Sequence, residues 1–162
     1  MDSWVLEDFS VGDIACQIAE FEVGGHTYVM VFNRIDATRS RKMINEKAEE
    51  LGIEYRENSY EVKFDLKQNF NDDTYFSKPD EIMSVSAMRE LGIIIRDLLE
   101  FHYKNSNAEA YLCVAEDNKL KRFYDRLAKI YADELQFQVT NDLGEEGLGY
   151  EITTPSYQSK SR

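Results

Sequence analysis

Hydrophobic and polar positions alternate cleanly in two parts of the chain. In residues 14–33, Ala19, Phe21 and Val23 alternate with Glu20 and Glu22, and Gly24-Gly25 offers a turn that tolerates positive φ. Tyr28 through Phe32 then returns as an unbroken apolar run. The pattern predicts a β-hairpin whose second strand is buried on both faces. In residues 60–66, Tyr60, Val62, Phe64 and Leu66 alternate with Glu61, Lys63 and Asp65. That predicts a strand with one buried and one wet face.

Elsewhere the period is helical. Ile44, Ala48 and Leu51 recur at i, i+4 and i+7, with Gly52 as a stop, and predict a helix over 38–51. Met88, Leu91, Ile95, Leu98 and His102 line one side of a longer helix from Ala87 to Tyr103, with Ser86 as its N-cap. Leu120, Phe123, Tyr124, Leu127, Ile130 and Tyr131 line a third helix, which begins at Asn118. Short strands are expected at Ala110–Ala115, Gln136–Thr140 and Tyr150–Thr153, the last two flanking an acidic turn with Gly144, Gly147 and Gly149. Residues 67–80 are polar and read as a loop or an extended hairpin arm.

The order β-β-α-β-α-β-α-β-β predicts an α/β fold, a mixed sheet with packed helices. Nothing in the chain resembles a linker or an internal repeat, so residues 1–155 read as a single domain and 156–162 as a flexible tail. A length of 162 residues with 43% apolar and 12% aromatic side chains suits one well-filled core. Cys16 and Cys113 both lie in apolar segments and read as small buried hydrophobes, not as a disulfide pair. His102 falls on a helix stripe and reads as a satisfied core histidine. No spacing suits a metal site. The N-terminus lacks a basic, apolar leader and no apolar run is long enough to span a bilayer, so a cytosolic protein is the expectation.

Charge changes this picture more than composition does. The net charge is −12, and it is concentrated toward the ends: residues 1–33 and 132–158 each hold six acids and no Lys or Arg. Such a molecule as a whole is repelled by a nucleic-acid backbone. The plain reading is a solubilising surface, and the sharper one an acidic face for a basic protein partner or a mimic of nucleic acid. On the sharper reading at least part of Glu20, Glu22, Asp142, Glu145, Glu146 and Glu151, in the two terminal hairpins, is expected to form one acidic region. Lys119, Arg122, Arg126 and Lys129 recur on one face of the third helix. They read as a solvated face, with phosphates or an acidic partner as the sharper alternative.

One succession of residues carries a further signal. Arg89-Glu90-Leu91-Gly92-Ile93-Ile94 follows the strand at 60–66, and Tyr111-Leu112-Cys113-Val114 precedes Asn118. Tyr124 lies six residues beyond Asn118, and Leu127 three beyond that. From Tyr60 to Val139 this resembles the GNAT superfamily of acetyl-CoA-dependent N-acetyltransferases. There a strand leads to an Arg/Gln-x-x-Gly-x-Gly/Ala turn that opens a helix, and a second strand precedes a helix that begins with Asn and carries a Tyr six residues on.

The resemblance implies a GNAT-like fold with a V-shaped gap between the strands near 60–66 and 110–115. It implies acetyl-CoA as cofactor, with Arg89, Gly92 and Asn118 as cofactor-binding residues and Tyr124 as the catalytic acid that protonates the departing thiolate. Read without it, Tyr124 is a core aromatic, Asn118 an N-cap and Gly92 a point of close helix packing. Position 94 is Ile where the family has Gly or Ala, Lys121 stands at a small-residue position, and the family's Gly-Phe ending is displaced to Gln136-Phe137. Acetyl-CoA is therefore expected to bind weakly or not at all. Two functions follow as expectations: a divergent or catalytically lost N-acetyltransferase, or a non-enzymatic acidic binding protein such as an inhibitor, immunity or phage anti-defence protein.

Overall fold

The computed structural model describes residues 6–11, 14–35, 58–67, 84–115, 118–144 and 146–160. Seven strands form one mixed sheet: β1 (Glu7–Val11), β2 (Ile14–Val23), β3 (His26–Ile35), β4 (Ser59–Leu66), β5 (Ala110–Val114), β6 (Gln138–Leu143) and β7 (Gly149–Thr153). Three helices are described: α1 (Val85–Ser106), α2 (Asn118–Leu135) and α3 (Pro155–Lys160). Across the sheet the order is β1-β2-β3-β4-β5-β7-β6. Only β4 and β5 run parallel, and α1 lies between them in the chain. The α/β class and the mixed sheet agree with the sequence reading. The helix expected at 38–51 and the loop at 67–80 fall outside the described residues, apart from Lys67.

The β2–β3 hairpin forms where the glycines predicted it. Val23 pairs with His26, and Gly24 and Gly25 take φ of 59° and 80°, the left-handed pair that a two-residue turn between twisted strands requires. Ala19, Phe21 and Val23 point into the core while Glu20 and Glu22 stay exposed. Register then carries one buried row across the sheet, Ala19 beside Met30 beside Phe64. Leu91 and Leu98 of α1 cover this face.

Several boundaries differ from the sequence reading. Helix α1 begins two residues before Ala87, and its N-cap is Ser84, not Ser86: Ser84 Oγ accepts from the Ala87 N–H at 3.1 Å. At its other end Asn107 takes a left-handed φ of 54°, and the Asn58 side chain donates to the carbonyls of Ser106 and Asn107, each at 3.0 Å. Those bonds satisfy open helix-end carbonyls and tie the start of β4 to the end of α1. Gln136 is no strand residue. It takes a φ of 61° at the end of α2, and β6 starts at Gln138. Strand β1 went unread because Glu7 and Asp8 open a segment that pairs only as the outermost strand.

Residues 155–160 are not a loose tail but the helix α3. Pro155 suits a first helical position, having no N–H to leave unpaired. The hydroxyl of buried Thr154 donates to the Ala108 carbonyl, and Ser156 Oγ meets the Tyr103 hydroxyl at 3.0 Å. The acidic hairpins also fail to join. Strand β2, with Glu20 and Glu22, lies four strand positions from β7, roughly 19 Å at the usual spacing. Glu20 pairs with Lys67 at 3.0 Å, Asp142 pairs with Lys121 at 2.6 Å and Glu151 is buried. Glu145 lies outside the described residues. Among the described residues no single acidic region spans both hairpins.

Candidate functional site

The parallel ladder between β4 and β5 is short. Ser59, Tyr60 and Glu61 pair with Ala110, Tyr111 and Leu112, and the pairing stops there. Both strands continue, β4 to Leu66 and β5 to Val114, each paired on its far side to β3 or β7. The backbone edges that face each other beyond Glu61 and Leu112 thus have no ladder between them.

Under the break lies a cavity of about 110 Å³ between the sheet and the helices α1 and α2. Phe64, Cys113, Tyr124, Leu127 and Tyr150 are among its walls. Its lining is overwhelmingly apolar. A cavity of this kind stays dry and favours an apolar occupant over water.

Tyr124 projects from α2 into this region. Its ring stands edge-on to Phe64 of β4 at 5.9 Å and to Tyr150 of β7 at 5.7 Å. It thus spans from one strand group to the other beneath the break. Burial holds its phenol well above the ordinary tyrosine value, and Cys113, Tyr150 and Asp65 nearby push the same way. Its hydroxyl makes no hydrogen bond among the described residues. Tyr124 is therefore a neutral, unengaged donor with aromatic packing on both sides. These ring contacts, with Phe123 beside it on α2, agree with the reading of Tyr124 as a core aromatic.

Tyr150 is held differently. Its hydroxyl donates to Asp125 Oδ1 at 2.6 Å and to the Lys121 carbonyl at 3.0 Å. Burial raises its pKa first, and the hydrogen bond to Asp125 adds to that. Burial also works against the Asp125 carboxylate, but the hydrogen bonds from Tyr150, Lys121 and Asn141 outweigh it and hold Asp125 below the usual range. Lys121 bridges Asp125 at 2.9 Å and Asp142 at 2.6 Å, fastening α2 to β6. Only the Lys121–Asp125 spacing was visible in the sequence. The partners Tyr150 and Asp142 come from strands distant in the chain.

The residues expected to hold a cofactor are not brought to the cavity. Arg89 is exposed, inside α1, and Asn118 is exposed at the first position of α2. Gly92 is buried, and a β-carbon there would lie 2.6 Å from Leu127 Cδ2. Its missing side chain lets α1 and α2 approach; it opens no path to a ligand. Ile94 packs against the core cluster. The first amides of α1 are also spent: Ala87 N–H on the Ser84 side chain and Met88 N–H on the Ser84 carbonyl at 2.9 Å. From there on the amides of residues 89–94 belong to the helix ladder and have none to spare for a pyrophosphate.

Cys113 was read as a buried hydrophobe, and it lines the cavity as a free thiol. Burial pushes it up to about 12, with Glu61 contributing, so it is a weak nucleophile at neutral pH. Among the described residues no cluster of His, Cys, Asp and Glu could hold a metal ion. No described helix is long and apolar enough to cross a membrane. Comparison of the chain with protein-family models, curated proteins and solved structures returns no match.

Proposed function

We propose that this chain is a GNAT-like domain in which acetyl-CoA-dependent catalysis has been lost and the scaffold retained. The observation that carries the reading is the parallel pair β4 and β5, whose ladder ends after Glu61 and Leu112 above the cavity that Tyr124 lines. In the family that the sequence resembles, such a gap admits the pantetheine arm of the cofactor, and the tyrosine protonates the thiolate.

The residues present do not fit the cofactor. Gly92 is committed to Leu127, Arg89 is exposed, and the helix amides at 89–94 are internally bonded. Binding a pyrophosphate here would require α1 to unwind by more than a turn. What persists is a small apolar cavity whose wall includes the protonated phenols of Tyr124 and Tyr150. That arrangement suits a short apolar group, not a nucleotide.

Titration calorimetry with acetyl-CoA tests the reading. The expected result is no saturable heat, meaning a Kd weaker than about 100 μM. Low-micromolar binding, together with acetyl transfer to a panel of amines that disappears in Tyr124→Phe, would overturn it and make the chain an active enzyme.

A further inference from the structure

Five described cations of this acidic chain, Lys63, Lys67, Arg96, Lys104 and Lys121, each meet a carboxylate within 3.2 Å. Helix α2 gathers four that do not. Lys119, Arg122, Arg126 and Lys129 are all exposed, and none of them meets a carboxylate among the described residues. Their spacing of three, four and three residues puts them in one stripe on the helix, about 15 Å long at the usual rise. The opposite side of α2, with Phe123, Tyr124 and Leu127, faces the sheet and α1.

Four like charges at helical neighbour positions repel one another and weaken the helix that holds them. Acids are abundant in the chain, yet among the described residues none pairs with the stripe. Asp125 is turned away, engaged by Lys121 and Tyr150. Exposed Asp133 follows Lys129 by four residues without forming an ion pair with it. Beside the stripe Ile130 stands 54% exposed, one of the few large apolar side chains left in water.

We propose that this face of α2 is the docking surface for an acidic segment of a partner protein. Charge complementarity selects the occupant: a run of carboxylates at helical or extended spacing would neutralise the four cations, and an apolar side chain in that run would cover Ile130. A nucleic acid fits less well. The aromatic rings of α2 named above pack inward and offer no stacking surface for bases. This proposal is independent of the acetyl-CoA reading, since no residue of the stripe lines the cavity.

The test is fluorescence anisotropy of a labelled Glu-rich peptide with interspersed Leu, titrated with the full chain at low and at physiological salt. The expected result is saturable, salt-sensitive binding. Arg122→Glu/Arg126→Glu should weaken it at least about tenfold, and Ile130→Asp should weaken it as well. The neutral pair Arg122→Gln/Arg126→Gln should give an intermediate loss, and carries the test should charge reversal impair folding, as checked by circular dichroism. Absent binding, or binding unchanged in both double variants, overturns the proposal. Tighter, stripe-dependent binding of a labelled oligothymidine also overturns it and makes the face a nucleic-acid surface.

Discussion

Gly92 on α1 lies so close to Leu127 on α2 that a β-carbon at 92 would fall 2.6 Å from Leu127 Cδ2. A helix interior otherwise favours Ala over Gly by about 1 kcal/mol. Gly92→Ala should nevertheless destabilise the chain, by about 1 kcal/mol, because Leu127 is forced from its rotamer. In a Leu127→Ala background the same change should become stabilising, since only the propensity gain remains. Urea denaturation of the four proteins in the cycle measures the coupling. Additive effects would show that the glycine is not there for helix approach.

Two tyrosines on the same cavity should respond unequally to loss of the hydroxyl. Tyr150→Phe removes bonds to Asp125 and the Lys121 carbonyl, one of them to a charged group, and should cost about 1.5–3 kcal/mol. Tyr124→Phe removes a hydroxyl with no hydrogen bond among the described residues and should cost less than about 0.5 kcal/mol. Thermal melts of both variants make the comparison. A large loss at Tyr124 would mean that its hydroxyl is engaged in solution.

His102 gives the fold a pH dependence of defined sign. It is 1% exposed, stacked on Phe32 at 4.1 Å, and bridges Gln17 Oε1 at 2.8 Å and the Tyr111 hydroxyl at 2.7 Å. With Gln17 Oε1 accepting from Nε2–H, Nδ1 accepts from Tyr111, so the ring is neutral in the fold. Burial lowers its pKa from 6.5 to about 4. The unfolded chain therefore takes up a proton first as pH falls. The stability this neutral ring maintains is fully present above pH 6.5 and is lost progressively as pH falls from there toward 4, by about 3 kcal/mol in all. Urea midpoints across that window should fall with pH in the wild type and fall less steeply in His102→Gln. Equal slopes would show that His102 titrates normally.

Cys113 should be protected from alkylation. A thiol held near 12 instead of 9 has about a thousandfold less thiolate at neutral pH. Iodoacetamide at neutral pH should leave it unmodified in the native protein and modify it in urea, as read by mass spectrometry of the Cys113 peptide. Rapid native labelling would place the thiol in an open, polar setting.

The elements with strong periodicity were legible in the sequence, and the ones settled by partners were not. Alternation at 60–66 and the Gly24-Gly25 turn correctly marked β4 and the β2–β3 hairpin, because local chemistry decides both. Ser84 and Ser86 are equally good caps on paper; the side chain that accepts from Ala87 is the one two residues earlier. Gln136 carries no glycine-like signal for the left-handed turn it makes. Of the candidate site, Tyr124 was legible from its place on the apolar stripe and its spacing from Asn118. The Tyr150–Asp125 and His102–Gln17 contacts were not, since 25 and 85 residues separate the partners. The separation of the two acidic hairpins was not legible, because charge along a chain carries no information about sheet order.

The three-pair ladder between β4 and β5 divides the sheet into unequal cooperative units. Strands β1 to β4 are successive antiparallel neighbours, and β5, β7 and β6 form a second antiparallel group. Their hydrogen-bonded seam is Ser59–Glu61 against Ala110–Leu112, reinforced by α1. Such a seam is where a protein opens sub-globally before it unfolds as a whole. Native-state hydrogen exchange should therefore resolve two protection classes. Amides of β3 should exchange only by global unfolding, while those in and beyond the seam, at Leu112 to Val114, should exchange through a cheaper parting of the two groups.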